Sequence, residues 1–419
     1  MSETGNVRRE EWKRNWTLVL ACAFGFSFSS VLNHSIGLFI EPLAGEFGWS
    51  RAQISSGLTL TAVVSVLLSP VVGMAIDRWG VRRLALPGIV LLTMSIASFS
   101  LANGSMTQWL SLWAIFAIVD LSVKSTIWTT AVAYAFKVER SLAMAFTLGG
   151  VSLSMIVAPP FAQILIADFG WRTAFIAIGV IWGSVAFILG IFFLREERDR
   201  VAKVSGEAGD VHVRAAGLTV REALRNPALI RIGIATFITM LLGIGVQVHQ
   251  VPILTAGGIS RSNAAYLVSL GGVAGIAGKV ITGWLMDRVD AGLVGSVTLA
   301  VSAFAYGMLL DQLRTDALTV VAMMVIGYAA AAKMQICAYM TSRHAGMRNF
   351  ATIFGVMSSL IALGGGLGPF VAGLVFDNYG TYDPLLFASV LGTFIAAALI
   401  FGLGRYPDWD SAKPTLAPA

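Results

Sequence analysis

The chain has 419 residues, of which 56% are hydrophobic and 12% charged, and its mean hydropathy is +0.77. No ordinary water-soluble domain tolerates that composition on its surface, which places the chain in a bilayer. The formal charge of +6 does not indicate nucleic acid, because the lysines and arginines sit at the ends of apolar stretches and not in one patch interleaved with aromatics.

A spanning helix needs about 20 consecutive apolar residues, since lipid offers no partner to an open backbone. Twelve such stretches are read in chain order at 16–40, 52–74, 84–103, 108–135, 141–167, 173–194, 228–254, 263–285, 291–310, 317–341, 351–375 and 385–404. The first is too long for the apolar region of a signal peptide and lacks a small-residue cleavage site, so it is expected to stay as the first span. Cys22 and Cys337 fall inside spans without metal-ligand spacing. They are expected to be packing residues, with no metal site and no disulfide framework.

With the N-terminus inside, 22 of the 29 Lys and Arg residues fall on the cytoplasmic side. Lys124, Lys279 and Lys333 lie within helices, and Arg51, Arg172, Arg261 and Arg314 fall outside. This asymmetry predicts a multi-pass protein of the plasma (inner) membrane with both termini in the cytoplasm.

Shifting the sequence by 210 residues lays its second half on its first. Pro42 then falls on Pro252, SRAQ (50–53) on SRSN (260–263), GMAIDR (73–78) on GWLMDR (283–288), Pro159 on Pro369 and Gly170 on Gly380. A duplicated set of six spans predicts an all-α integral membrane fold of 12 transmembrane helices in two pseudo-symmetric six-helix bundles, 1–194 and 228–419. Such bundles rock about a site near the bilayer midplane, the architecture of transporters. Residues 195–227 are polar and basic and read as a cytoplasmic linker, in which LTVREALRNP predicts a short helix ending before Pro227.

GMAIDRWGVRR (73–83), repeated as GWLMDRVD (283–290), resembles the signature loop of the major facilitator superfamily. FKVERSLAMAFTLGGVSLSMIVAPPFAQILIADFGWRTAF (136–175) resembles that family's monocarboxylate and oxalate porter branch, through Gly149, Gly150, Ala158, Pro159 and Phe169 to Arg172. FGVMSSLIALGGGLGPFVAGLVFDNYGTY (354–382) is similar to the same branch's helix 11. The resemblance covers nearly the whole membrane domain. It implies that helices 1, 4, 7 and 10 line a cavity, that 2, 5, 8 and 11 flank it, and that 3, 6, 9 and 12 face lipid.

An ionisable side chain in a span costs several kcal/mol, of order 2.5–3.5 on insertion scales, unless it is paired or lines a wet cavity. Five such residues, His34, Asp120, Lys124, Lys279 and Lys333, fall on lining or flanking helices under this resemblance. Lys279 occupies the position where the resembling porters carry a substrate-binding arginine, while the family's acidic residue one turn earlier corresponds to Gly275. It either contacts substrate or snorkels toward the cytoplasm. His34 aligns with a helix 1 lysine that handles substrate and proton in the family; it is read as a conditional cation or as a packing residue. Asp120 and Lys124 are four apart, read as an ion pair on one helical face that either serves folding or breaks during proton coupling. Lys333 either replaces the family's helix 11 lysine, where Met357 stands here, or snorkels. Asn33, Gln247, His249, Trp128 and Tyr328 are further polar or aromatic candidates, each with a structural alternative.

Three lysines against one aspartate leave two excess positive charges, which predicts a small organic anion as substrate, a mono- or dicarboxylate. Alternating access with proton symport or anion exchange follows, in a monomeric unit. Substrate-binding falls to Lys279, His34, Lys333 and Lys124, and proton coupling to Asp120 and His34. A conformational latch is expected at Gly73, Asp77, Arg78, Gly283, Asp287 and Arg288. The chain has no P-loop of the form GxxxxGK[ST], and its histidines at 34, 212, 249 and 344 make no HExxH set. Neither a nucleotide nor another cofactor is expected, nor any catalytic residue of an enzyme. The competing readings are a proton-driven exporter of drugs or metabolites, whose helix 5 usually carries glycines that APPFAQ lacks, and a transporter-like membrane sensor.

Overall fold

The computed structural model describes residues 3–136, 140–194, 217–286, 288–346, 348–404 and 407. The described residues build helices, joined by short turns, with one isolated bridge between Gly217 and Gly346. Eleven helical runs are long and apolar enough to cross a bilayer. The longest, Leu142–Phe193, holds two spans that turn at Gly170, whose φ of 79° suits a residue without a side chain. The twelve stretches read from the sequence are thereby accounted for.

The chain divides into two compact units, one comprising 1–209 and 259–269, the other 210–258 and 270–419. In the first, α1 (Glu3–Phe47), α2 (Arg51–Trp79), α3 (Val81–Ser98), α4 (Met106–Asp120), α5 (Ser125–Ala135), α6 (Arg140–Leu148) and α7 (Gly150–Phe193) follow one another. Ser50 starts α2 with a capping box to Gln53, satisfying two backbone donors that the helix itself leaves open. Segment 259–269 belongs here, and Arg261 pairs with Glu41 on α1. Arg172 holds Glu46 at 2.7 Å and Trp171 donates to the same carboxylate, fixing the turn after Gly170 to the end of α1.

The second unit contains α8 (Val220–Ala223), α9 (Pro227–Val248), α10 (Gln250–Ala256), α11 (Arg261–Met286, from residue 270), α12 (Ala291–Met308), α13 (Asp316–Ala345), α14 (Phe350–Tyr379) and α15 (Asp383–Ile400). The short helix expected in LTVREALRNP is α8, capped by Thr219 and Glu222. Asn226 then caps α9, and Pro227 takes its first position, where no N–H is needed. Most of the expected linker, 195–216, lies outside the described residues.

Lipid is as apolar as leucine, so spanning helices are joined by close packing at small residues. The duplicated sequence repeats its contacts accordingly. In the first unit the glycines of α7 meet α1 at Ala23 and α3 at Thr93, and Gly57 of α2 meets Trp113 of α4. In the second, Gly368 of α14 meets α9 at Leu241, Gly295 of α12 meets Ile400 of α15, and Gly327 of α13 meets Gly271 of α11. First span on fifth, second on fourth and third on sixth thus recur in both units.

Candidate functional site

The fourth span of the first unit is broken at its charged residues. Helix α4 ends at Asp120, Leu121–Val123 form a 3-10 turn, and Lys124 is extended (φ −68°, ψ 168°) as the residue that opens α5. No proline or glycine stands in DLSVKS to cause this. Tertiary packing holds it instead. The indole of Trp128, fully buried, donates to the Val123 carbonyl at 2.6 Å and so satisfies an acceptor that the break would strand. That ring lies where Gly25 of α1 has no side chain, for a Cβ there would come within 2.4 Å of it. Gly88 of α3 gives way similarly to Ser122.

The break aims Lys124. Its ammonium donates to the Ser65 hydroxyl on α2 and stands 3.7 Å from the Asp120 carboxylate. Asp120 and Lys124 were expected on one continuous helical face; they pair across an interrupted helix instead. The side chain of Asp120 is 5% exposed and that of Lys124 31%, so the acid is enclosed while the cation reaches outward. The Oδ1 atom of Asp120 is buried without a hydrogen-bond partner among the described residues. Lys124 also sits at the positive end of α5, whose first N–H groups lack helical partners, so two sources of positive potential coincide there. His34 lies half-buried on α1 in the same unit, and Asn33 beside it is exposed.

In the second unit Lys279 is half-buried on α11. Its neighbour Gly278 lets the backbone of Tyr328 on α13 approach so closely that a Cβ would sit 2.6 Å from the Tyr328 carbonyl oxygen. One turn along, Thr282 Oγ1 and the Tyr328 hydroxyl share a 2.9 Å hydrogen bond, which fixes the phenol beside the Lys279 stretch of α11. Lys333 belongs to another set of contacts. It is 7% exposed, donates to the Tyr306 hydroxyl on α12 at 3.2 Å, and lies 5.7 Å from that ring's centre. Lys279 and Lys333 both lie in the second unit. His249 is enclosed between the Tyr382 hydroxyl (2.7 Å) and the Pro369 carbonyl (3.0 Å) at the junction of α9 and α10, a packing arrangement.

Of the latch residues, Gly73 and Asp77 lie on the last turns of α2, and Asp287 lies outside the described residues. Arg78 is exposed. Arg288 folds onto Trp284, 4.3 Å above its ring, and donates to that residue's carbonyl. Gly283 packs on the Gln335 amide, which a Cβ would meet at 2.8 Å. Arg82, in the same motif, donates both arms to carbonyls at the end of α7, those of Leu194 and Ile191. The sequence carried no sign of Ser65 or Tyr306, the partners of Lys124 and Lys333. The resemblance places helix 9 against lipid, yet Tyr306 on it is 1% exposed.

A family profile described as Major Facilitator Superfamily matches residues 17–369. Monocarboxylate transporter 13 of Bos taurus is 23% identical over 390 residues, which cover 91% of this chain and 87% of that protein. Monocarboxylate transporter 12 of Xenopus laevis is 22% identical over 418 residues, covering 93% and 88% respectively. The inward-open structure of the xylose transporter XylE from E. coli superposes with a TM-score of 0.74 at 11% identity, over 95% of this chain and 98% of that one, a likeness of fold.

Proposed function

The chain belongs to the Major Facilitator Superfamily and resembles its monocarboxylate branch. From that premise we propose that this multi-pass membrane transporter carries small organic anions, mono- or dicarboxylates, together with protons, across the plasma (inner) membrane with both termini in the cytoplasm. The carrying observation is the broken fourth span, where the Lys124 ammonium and the open end of α5 stand beside the buried carboxylate of Asp120. An ammonium at a helix N-terminus attracts a carboxylate. A substrate carboxylate that engages Lys124 takes the cation from Asp120, and a buried carboxylate deprived of its cation is neutralised by a proton. Anion and proton then load together: a Lys124–substrate pair and a protonated Asp120 replace the Lys124–Asp120 pair, so the site keeps the same net charge through loading and no carboxylate is left buried without a cation or a proton.

In this reading Lys279 supplies the second unit's positive contact to substrate, beside Tyr328, and His34 a conditional charge in the first. Lysine offers a point charge where a guanidinium would clamp both oxygens, so orientation falls to neighbouring hydroxyls. The segments 73–78, at the end of α2, and 283–288, at the end of α11, act as the conformational latch. The names of the two relatives, monocarboxylate transporters, support the substrate class.

Uptake of a labelled mono- and dicarboxylate panel into proteoliposomes, with and without an inward proton gradient, tests the proposal. Saturable uptake of a carboxylate that the gradient accelerates is expected. Saturable transport of neutral or cationic solutes that no carboxylate competes away would overturn it.

A further inference from the structure

The second unit encloses a charge for which the proposed transport chemistry gives no partner. Lys333 carries three N–H donors on its ammonium. One goes to Tyr306, and among the described residues no carboxylate pairs with the others. The ammonium rests against Gly243 of α9, where even a Cβ would intrude to 2.9 Å. Beside it lies a cavity of about 20 Å³, lined by Lys333, Thr236, Thr239 and Cys337 among apolar residues such as Ile232 and Leu299. A space of that size, in a recess open on one side, holds about one particle comparable to a water molecule.

A buried cation without a counter-charge is among the most costly arrangements a protein interior can hold. Water in the cavity would accept from the ammonium and leave the charge uncompensated. A monatomic anion would accept from the same N–H groups and neutralise them. We propose that this cavity is a halide site, occupied by chloride, in which the Lys333 ammonium supplies both the charge and the N–H donors and Tyr306 steadies it, while the Thr236 hydroxyl in the lining is hydrogen-bonded to Cys337. The four helices that meet there, α9, α12, α13 and α15, would be held together by the bound ion, so halide is a stabilising ligand of the second unit and not a transported substrate.

The test is the thermal unfolding of the purified full-length protein in detergent, titrated with sodium chloride or bromide against sodium gluconate at constant ionic strength. A saturable rise in Tm of several degrees with either halide, absent with gluconate, is expected. Lys333→Met should abolish the halide response, whereas Lys124→Met should retain it. Crystals soaked in bromide should give an anomalous peak beside Lys333. Equal Tm in chloride and gluconate overturns the proposal, as does a response that persists in Lys333→Met or vanishes in Lys124→Met. If Lys333→Met does not fold, Tyr306→Phe, which removes the hydroxyl that steadies the ammonium, should change halide affinity at least severalfold, and unaltered affinity there, or a bromide-soaked crystal with no peak, overturns the proposal equally.

Discussion

Lys124 and Asp120 face each other at 3.7 Å across an interrupted helix, and the hydrogen bond of the ammonium goes to Ser65 and not to its acidic partner. A pair at that separation has Coulomb attraction without a hydrogen bond, so an arriving anion can displace it.

Asp120→Asn keeps the shape of the side chain and removes its charge. Uptake driven by a proton gradient is expected to fall by about tenfold or more, the equivalent of ~1.4 kcal/mol in the coupled step. Counterflow of labelled against unlabelled substrate, which needs no net proton movement, should continue. Both rates can be read on the same proteoliposomes, and gradient-driven uptake at the wild-type rate would remove Asp120 from coupling.

The break itself depends on Trp128. Replacing it with Phe keeps most of the ring but leaves the Val123 carbonyl without its donor, which costs about 1–3 kcal/mol for a buried acceptor. Gly25→Ala should be comparably harmful for a different reason, since its Cβ would stand 2.4 Å from the indole and force repacking at about 1–3 kcal/mol. Thermal unfolding of the two variants and their combination checks this; additive losses would contradict the contact, because residues that touch should couple.

What the sequence disclosed, and what it hid, divides along the range of the forces involved. Spans follow from hydropathy, which acts residue by residue, and the duplication follows from landmarks at a constant spacing. The pairing of Asp120 with Lys124 was legible as a four-residue interval. The break between them was not, because DLSVKS holds no helix breaker and the cause lies in the indole of Trp128 and the bare backbone of Gly25. Arg82 is, in the sequence, only one arginine of GMAIDRWGVRR; its forked hold on Leu194 and Ile191 requires knowing that α7 ends beside it. Lys333 read as a ligand for substrate, while its contact with Tyr306 came from a helix that the resemblance turns toward lipid.

Lys279→Ala is expected to raise the KM for carboxylate at least about tenfold with little change in the amount of folded protein, as loss of a single charged contact does. Lys279→Arg should restore most of the affinity, because the charge returns. An alanine variant with wild-type KM would move the second unit's contact away from α11.

Outside the membrane spans, Glu222 accepts from the Thr219 backbone N–H in the capping box of α8, and that hydrogen bond, with the one from the Thr219 side chain, holds its carboxyl below the usual range. A carboxyl depressed in the folded state stabilises above its unfolded pKa, and the contribution is lost as pH falls through the folded value. Amide exchange across 217–226, corrected for intrinsic rates, should therefore quicken as the pH is lowered through the acidic carboxylate range. Glu222→Gln should flatten that dependence; a variant that keeps the wild-type pH profile would assign it to another group.

Arg82 and Arg231 perform the same task in the two units. Arg82 donates to the carbonyls of Leu194 and Ile191, and Arg231 to those of Leu399 and Phe401, so each closes the end of its unit's sixth span where carbonyls lack helical partners. A guanidinium reaches two carbonyls at once and an ammonium cannot do so in fixed geometry. Arg82→Lys and Arg231→Lys should each cost about 1 kcal/mol of stability, and the alanine variants about 1.5–3 kcal/mol, through loss of charged hydrogen bonds to the helix end. Transport measured per folded molecule should stay near wild type, since neither residue touches the proposed substrate contacts. Should Arg82→Lys unfold as wild type does, the positive charge alone would be sufficient and the fork would have no role in closing the helix.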